Sequence, residues 1–133
     1  MARRKPKFEY YLLCDDIRLE IGNKVSYMGV YGPDIVVQKV PFAFPQLCAA
    51  IHYRYLKSGD VFSVRLKKPT GEKMSKALEG SIPDGAERLA SIGIFARFLA
   101  VRIEETGTYK MEVVLNRDQT TKMEIDIPVR IPE

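Results

Sequence analysis

From Tyr109 to Ile131 apolar residues recur at every second position on both sides of one polar break, and that pattern decides most of what the chain can become. Tyr109, Met111, Val113 and Leu115 alternate with Lys110, Glu112, Val114 and Asn116, and Met123, Ile125, Ile127, Val129 and Ile131 alternate with Lys122, Glu124, Asp126, Pro128 and Arg130. Successive side chains of a strand point to opposite faces, so each run predicts a strand with one face in a core and the other in water. The polar residues 116–121 between them predict a hairpin loop that sets Leu115 opposite Met123 and Val113 opposite Ile125.

The same period organises the middle of the chain. Ile51, Tyr53 and Tyr55 precede the turn residues Lys57-Ser58-Gly59-Asp60, and Phe62, Val64 and Leu66 follow. A hairpin pairing Ile51 with Leu66, Tyr53 with Val64 and Tyr55 with Phe62 puts all of them on one face. Pro69-Thr70-Gly71-Glu72 predicts a further turn into an edge strand from Lys73 to about Glu79, closed by Pro83-Asp84-Gly85. Between Glu87 and Ile103, Leu89, Ile92, Phe95 and Leu99 have helical spacing, whereas Ile92, Ile94, Ala96 and Phe98 followed by Leu99, Val101 and Ile103 suit a strand with a bulge. Gly93 and the strands on either side favour the strand. Gly107 and Tyr109, after the acidic Glu104-Glu105, resemble a tyrosine corner, in which a tyrosine near a strand's start returns its hydroxyl to the backbone. Eight or nine short strands at this spacing predict an all-β domain: an antiparallel two-sheet β-sandwich, immunoglobulin-like or C2-like, with a small β-barrel as the alternative.

Near the start, Ile17, Leu19 and Ile21 alternate with Asp16, Arg18 and Glu20, and Gly22-Asn23 reads as a two-residue turn. The following strand has Val25, Tyr27 and Tyr31 on one side and Met28 and Val30 on the other, so it is expected to be central. Cys14-Asp15-Asp16-Ile17-Arg18 and Gly29-Val30-Tyr31-Gly32, with Pro41-Phe42-Ala43-Phe44-Pro45-Gln46-Leu47 and the late Glu105–Leu115 stretch, resemble a family of short, functionally uncharacterised bacterial and phage proteins. The resemblance implies a β-rich fold and a phage association. It brings no activity, cofactor or catalytic residue.

The 133 residues suit one domain, expected over 8–133, with residues 1–7 as a basic, flexible arm. That arm carries Arg3, Arg4, Lys5 and Lys7 without an acid, and it accounts for the whole formal net charge of +4. No apolar segment has the length of a membrane span, and the basic start lacks a signal-peptide core, so the expectation is a cytoplasmic protein without membrane contact. Cys14 and Cys48 then read as buried free thiols, with a disulfide as the minor alternative.

Candidate chemistry is sparse. Asp15 and Asp16 are weak metal candidates, since a loop corner would let them join Asp34, Asp60 or Asp84 around a cation, but the ordinary use of such acids is to accept backbone N–H groups and pair with Arg18. His52, the one histidine, points away from the Ile51 and Tyr53 face and has no catalytic motif around it. Phosphate-binding glycine motifs are absent. Phe42 and Phe44, bracketed by prolines, predict an edge or a connection between sheets. The leading expectation is therefore a non-enzymatic binding or assembly module without a cofactor, meeting a protein partner or further copies of itself. The alternative is a nucleic-acid binder using Arg3, Arg4, Lys5 and Lys7 with a basic strip over residues 51–76 that contains Arg54, Arg65 and Lys67.

Overall fold

The computed structural model describes residues 4–74, 76–86 and 89–133. Among these there is no α-helix, and the strands are β1 (Lys7–Cys14), β2 (Asp16–Glu20), β3 (Lys24–Met28), β4 (Ile35–Val36), β5 (Phe42–Arg54), β6 (Val61–Lys67), β7 (Leu78–Ser81), β8 (Ile92–Ile103), β9 (Gly107–Leu115) and β10 (Asp118–Arg130). They form a three-stranded sheet ordered β1-β5-β8, a five-stranded sheet ordered β4-β10-β9-β6-β7, and a two-stranded ribbon of β2 and β3. Every pairing is antiparallel except β4 with β10.

The alternating residues of both larger sheets meet in one core. Leu47, Ala49, Ile51 and Tyr53 of β5 and Ile92, Ile94, Ala96 and Phe98 of β8 belong to the same buried cluster as Val64, Leu66, Met111, Val113, Ile125 and Ile127. The hairpin of β9 and β10 keeps the predicted faces but shifts by a pair: Val113 lies opposite Met123 and Met111 opposite Ile125. The cause is the turn together with an irregularity in β10. The turn closes on Asn116 and Arg117, both with positive φ, so that Leu115 already faces Asp118, and the register then slips between Asp118 and Met123. The two-residue turn matches the twist of the strands, and the net shift by two leaves the apolar side chains on their predicted face.

The expected hairpin of residues 51–66 does not form. β5 is paired by β1 along one side and by β8 along the other, leaving its middle no free edge for β6, which enters the five-stranded sheet between β9 and β7. Ile51 and Tyr53 still face the core shared with Val64 and Leu66, but from the opposite sheet. His52 therefore lies opposite Gly93 and Tyr10 rather than Arg65. β7 is the expected edge strand, starting later than predicted.

β8 is a strand throughout. Its inward parity changes between Phe98 and Val101, where Ala100 takes φ 54°, and β5 changes with it between Phe44 and Leu47. Leu99 is consequently turned outward. β1 reaches only to Cys48, so Phe42–Leu47 has β8 as its single neighbour, which is where Pro45 is tolerated and where the proline-bracketed segment was expected to lie. The Tyr109 hydroxyl donates to the Glu105 carbonyl at 2.8 Å, the contact that Gly107 and Tyr109 predicted.

Candidate functional site

Where β1 ends, the chain turns through Asp15 and sends β2 and β3 across the outer face of the three-stranded sheet. The Asp15 amide donates to the carbonyls of Met28 and Gly29, and Tyr31 N–H donates to the Leu13 carbonyl, so both ends of the ribbon are tied to the end of β1. The Tyr31 hydroxyl donates to Asp15 Oδ1 at 2.6 Å, and burial together with that bond raises its pKa. Gly29, at φ 68°, is required here, because a Cβ would run into the Asp15 carboxylate.

Asp16 is fixed from three strands. Its Oδ1 accepts from Arg97 Nη1 at 2.8 Å, from Gln46 Nε2 at 3.0 Å and from Ile17 N–H at 2.9 Å, while Oδ2 accepts from Arg18 Nε at 3.1 Å. The Arg97 guanidinium, followed by that of Arg18, brings the Asp16 pKa down to about 2. Arg97 Nη2 also donates to the Ile17 carbonyl at 3.1 Å, so one guanidinium on β8 clamps the first turn of the ribbon. Beneath it Cys14, Ile17, Cys48 and Ala50 form a second small core with Leu12 and Tyr27 packed around it. Cys14 and Cys48 face each other across β1 and β5 as free, buried thiols, and burial raises the pKa of each.

His52 lies beside this small core. Its ring stacks on Tyr10 with centroids 4.3 Å apart, its Nε2 is 3.0 Å from the Tyr27 hydroxyl, and Phe95 meets it edge-on. Gly93, directly opposite in the sheet, makes room: a Cβ there would lie 2.9 Å from His52 Cε1 and 2.7 Å from the Phe95 ring. Burial lowers the His52 pKa, favouring the neutral ring.

Beyond these contacts the ribbon loses its cover. Ile17 and Tyr27 face the sheet, Leu19 and Val25 continue the same face by strand parity, and Ile21 follows in the turn. Leu19 is 77% and Ile21 95% exposed. The expectation that the strand through Tyr27 is central is thus overturned. Its two apolar sides do not mark two buried faces, since β3 pairs only with β2 and leaves Val25 and Met28 exposed. The tip is a three-residue loop, Ile21 to Asn23, rather than Gly22-Asn23 alone.

The other candidate residues are dispersed. Arg3 lies outside the described residues. Arg4 donates to the Tyr55 hydroxyl at 2.8 Å and sits over its ring, Lys5 lines a cavity with Phe8 and Tyr53, and Lys7 opens β1 opposite Arg54. Arg54 pairs with Glu9 at 2.8 Å on one sheet, while Lys67 pairs with Glu112 at 2.5 Å on the other, with Arg65 opposite Glu112. The basic strip read from residues 51–76 is therefore divided between two sheets. Asp34 pairs with Arg130, and the buried Asp60 accepts from Lys57 N–H and Asn116. Among the described residues no three His, Cys, Asp or Glu side chains gather as a metal would need. An open groove of about 780 Å³ runs beside β8, with Leu66, Met74, Leu78, Phe98 and Tyr109 in its walls.

The residues that hold the Asp15-Asp16 corner and that sequence reading did not assign to it are Arg97, Gln46 and Tyr31. Nothing local connects them to the corner, because Arg97 and Gln46 reach it from distant strands and Tyr31 from the segment after β3. Among the described residues no helix is long and apolar enough to cross a membrane.

The model of a family described only as being of unknown function, DUF6941, matches residues 9–129. None of the curated proteins matches the sequence. Among solved structures, a β-glucosidase from Listeria innocua in complex with isofagomine is similar at 10% identity and a TM-score of 0.43, over 85% of this chain and 19% of that one. The chain thus spans about a fifth of that enzyme, and a likeness so distant says nothing of activity.

Proposed function

We propose that this chain, which belongs to DUF6941, a family of unknown function, is a non-enzymatic binding or assembly module on an immunoglobulin-like β-sandwich. The observation that carries the reading is the ribbon tip, where Leu19 and Ile21 stand exposed with Val25 opposite Leu19. Full burial of a leucine or isoleucine side chain contributes about 1.5–3 kcal/mol, so a partner covering these residues has a substantial apolar gain available. The acidic corner supports the reading, because its carboxylates are engaged within the chain and serve to fix the ribbon against the sheet. The sandwich assignment draws support from the single core shared by two sheets and from the Tyr109 corner. Cytoplasmic residence is proposed on the two facing, unlinked thiols.

The test compares wild type with the Leu19→Ser/Ile21→Ser variant in two assays: self-association by light scattering, and capture of proteins from an extract of the source cells. Association in at least one assay, lost in the variant at unchanged circular dichroism, is the expected result. A protein that neither self-associates nor captures a partner, or whose variant behaves identically, overturns the reading.

A further inference from the structure

In the open groove beside β8 the tyrosine and both arginines are engaged within the chain: the Tyr109 hydroxyl donates to Glu105, and Arg97 and Arg102 pair with Asp16 and Glu104. A cavity of about 590 Å³ elsewhere is different. It lies where β1 begins, β5 ends and β9 turns into β10, away from the ribbon, which is tied to the far end of β1. Tyr53, 4% exposed, is the one buried polar side chain in its lining.

The Tyr53 ring belongs to the core, and Phe8 meets it edge-on with centroids 5.9 Å apart. A buried tyrosine ordinarily gives its hydroxyl a hydrogen-bond partner. Among the described residues Tyr53 has none, and burial alone pushes its pKa up to about 12. The hydroxyl is nonetheless not sealed in, since the fully enclosed side-chain oxygen without a partner among the described residues is Glu9 Oε1. It therefore opens into the cavity that Tyr53 lines, as a neutral group able to donate and to accept.

The polar side chains of the neighbouring turn are satisfied within the chain. Asn116 accepts from Val61 N–H and donates to Asp60, the Thr121 hydroxyl donates to the Asp118 carbonyl, and Thr120 donates to Asp118 Oδ1 through both its N–H and its hydroxyl. Phe8, Leu115 and Met123 give the cavity apolar walls, while Arg4 and Lys5 stand exposed at its rim. Arg4 Nη1 donates to the Tyr55 hydroxyl at 2.8 Å, a neutral partner that does not cancel its charge. Against these two cations the lining holds one acid, Asp118, whose carboxylate Thr120 already binds, so the rim favours an anion.

We propose that this cavity binds a small hydroxyaryl carboxylate, with its ring against Phe8, Leu115 and Met123, its hydroxyl bonded to Tyr53 and its carboxylate at Arg4 and Lys5. The volume lies within the range of about 300–1,000 Å³ typical of small-molecule sites, and a single buried polar group in an apolar lining is how such sites fix orientation. An aromatic ring and a thioether in the walls suit an aromatic body, which both meet through its edge. A ligand hydroxyl supplies the bond that the fold withholds from Tyr53.

Full-length protein is titrated by calorimetry with para-hydroxyphenylpropionate, with phenylpropionate and para-ethylphenol, which lack the hydroxyl and the carboxylate respectively, and with tyramine, which carries an ammonium in place of the carboxylate. The hydroxy acid is expected to bind saturably at one site, about tenfold tighter than phenylpropionate, as one hydrogen bond to a buried group provides. Tyramine is expected to bind least. Tyr53→Phe should abolish the preference between the two acids and keep the melting temperature at or above that of wild type, because the fold loses no bond. Arg4→Glu/Lys5→Glu, at two exposed positions, should weaken both acids by about tenfold or more and leave para-ethylphenol unchanged. The proposal is overturned by the absence of saturable binding of the hydroxy acid at millimolar concentration, by a preference that survives Tyr53→Phe, or by a lower melting temperature in that variant. It is equally overturned by tyramine binding as tightly as the acid, or by indifference to charge reversal at Arg4 and Lys5. The binding role of the ribbon stands or falls separately.

Discussion

Two hairpins in this protein share one pattern and meet opposite fates. In β9 and β10, Met111, Val113, Ile125 and Ile127 alternate with polar residues and are buried; in β2 and β3, Ile17, Leu19 and Val25 alternate in the same way, yet only Ile17 is buried. Both pairs obey the strand period. The difference lies in what stands opposite. β9 and β10 face the three-stranded sheet across the core, whereas the ribbon has a sheet beneath its base and none beneath its tip. Alternation therefore specifies which side chains share a face, and the surrounding layers decide whether that face is covered.

The contrast is broken most severely from the buried side. Met111→Ala, at a fully buried position of β9, is expected to cost about 2–5 kcal/mol in denaturant unfolding, from lost transfer energy and the cavity left behind. Gly29→Ala comes next, at roughly 1–3 kcal/mol, because it combines a left-handed backbone with a collision at the Asp15 carboxylate. Its effect should be greatest at the ribbon, seen as faster amide exchange at Lys24–Met28 than in the core strands.

A third prediction sharpens the role of the corner. Asp16 has a folded pKa of about 2 against an ordinary value of 3.8, so its pairing with Arg97 favours the folded state above pH 4. That contribution is lost as pH falls from about 4 through 2, since both states then bind the proton. Asp16→Asn is expected to flatten the pH dependence of the melting temperature in this interval and to leave its slope near neutrality unchanged. The smallest effect belongs to the tip: Ile21→Ser should alter the stability of the single chain by less than about 0.5 kcal/mol. A larger loss, independent of protein concentration, would show that the tip is covered within its own molecule and would dissolve the contrast between the hairpins.

Much of this was legible in the residues. The faces of β5, β6, β9 and β10, the parity change in β8 and the hydroxyl contact of Tyr109 follow from spacing and local turn chemistry. The partner of each strand did not. Residues 51–66 have the composition of a hairpin, but β1 and β8 occupy both sides of β5, and that competition is invisible in the segment itself. The Asp15-Asp16 corner was recognisable as a turn with acids to satisfy. That Arg97, Gln46 and Tyr31 satisfy them depended on contacts spanning up to 81 residues of chain.

By itself the sequence determined an all-β chain, its strand faces and its tight turns, because each depends on the conformational preferences of neighbouring residues. Only the tertiary structure decided which sheet each strand joined, which carboxylate met which guanidinium, and which apolar faces were left bare at Leu19, Ile21 and Leu99. Those outcomes depend on how strands distant in sequence compete for a limited number of hydrogen-bonding edges and covering layers.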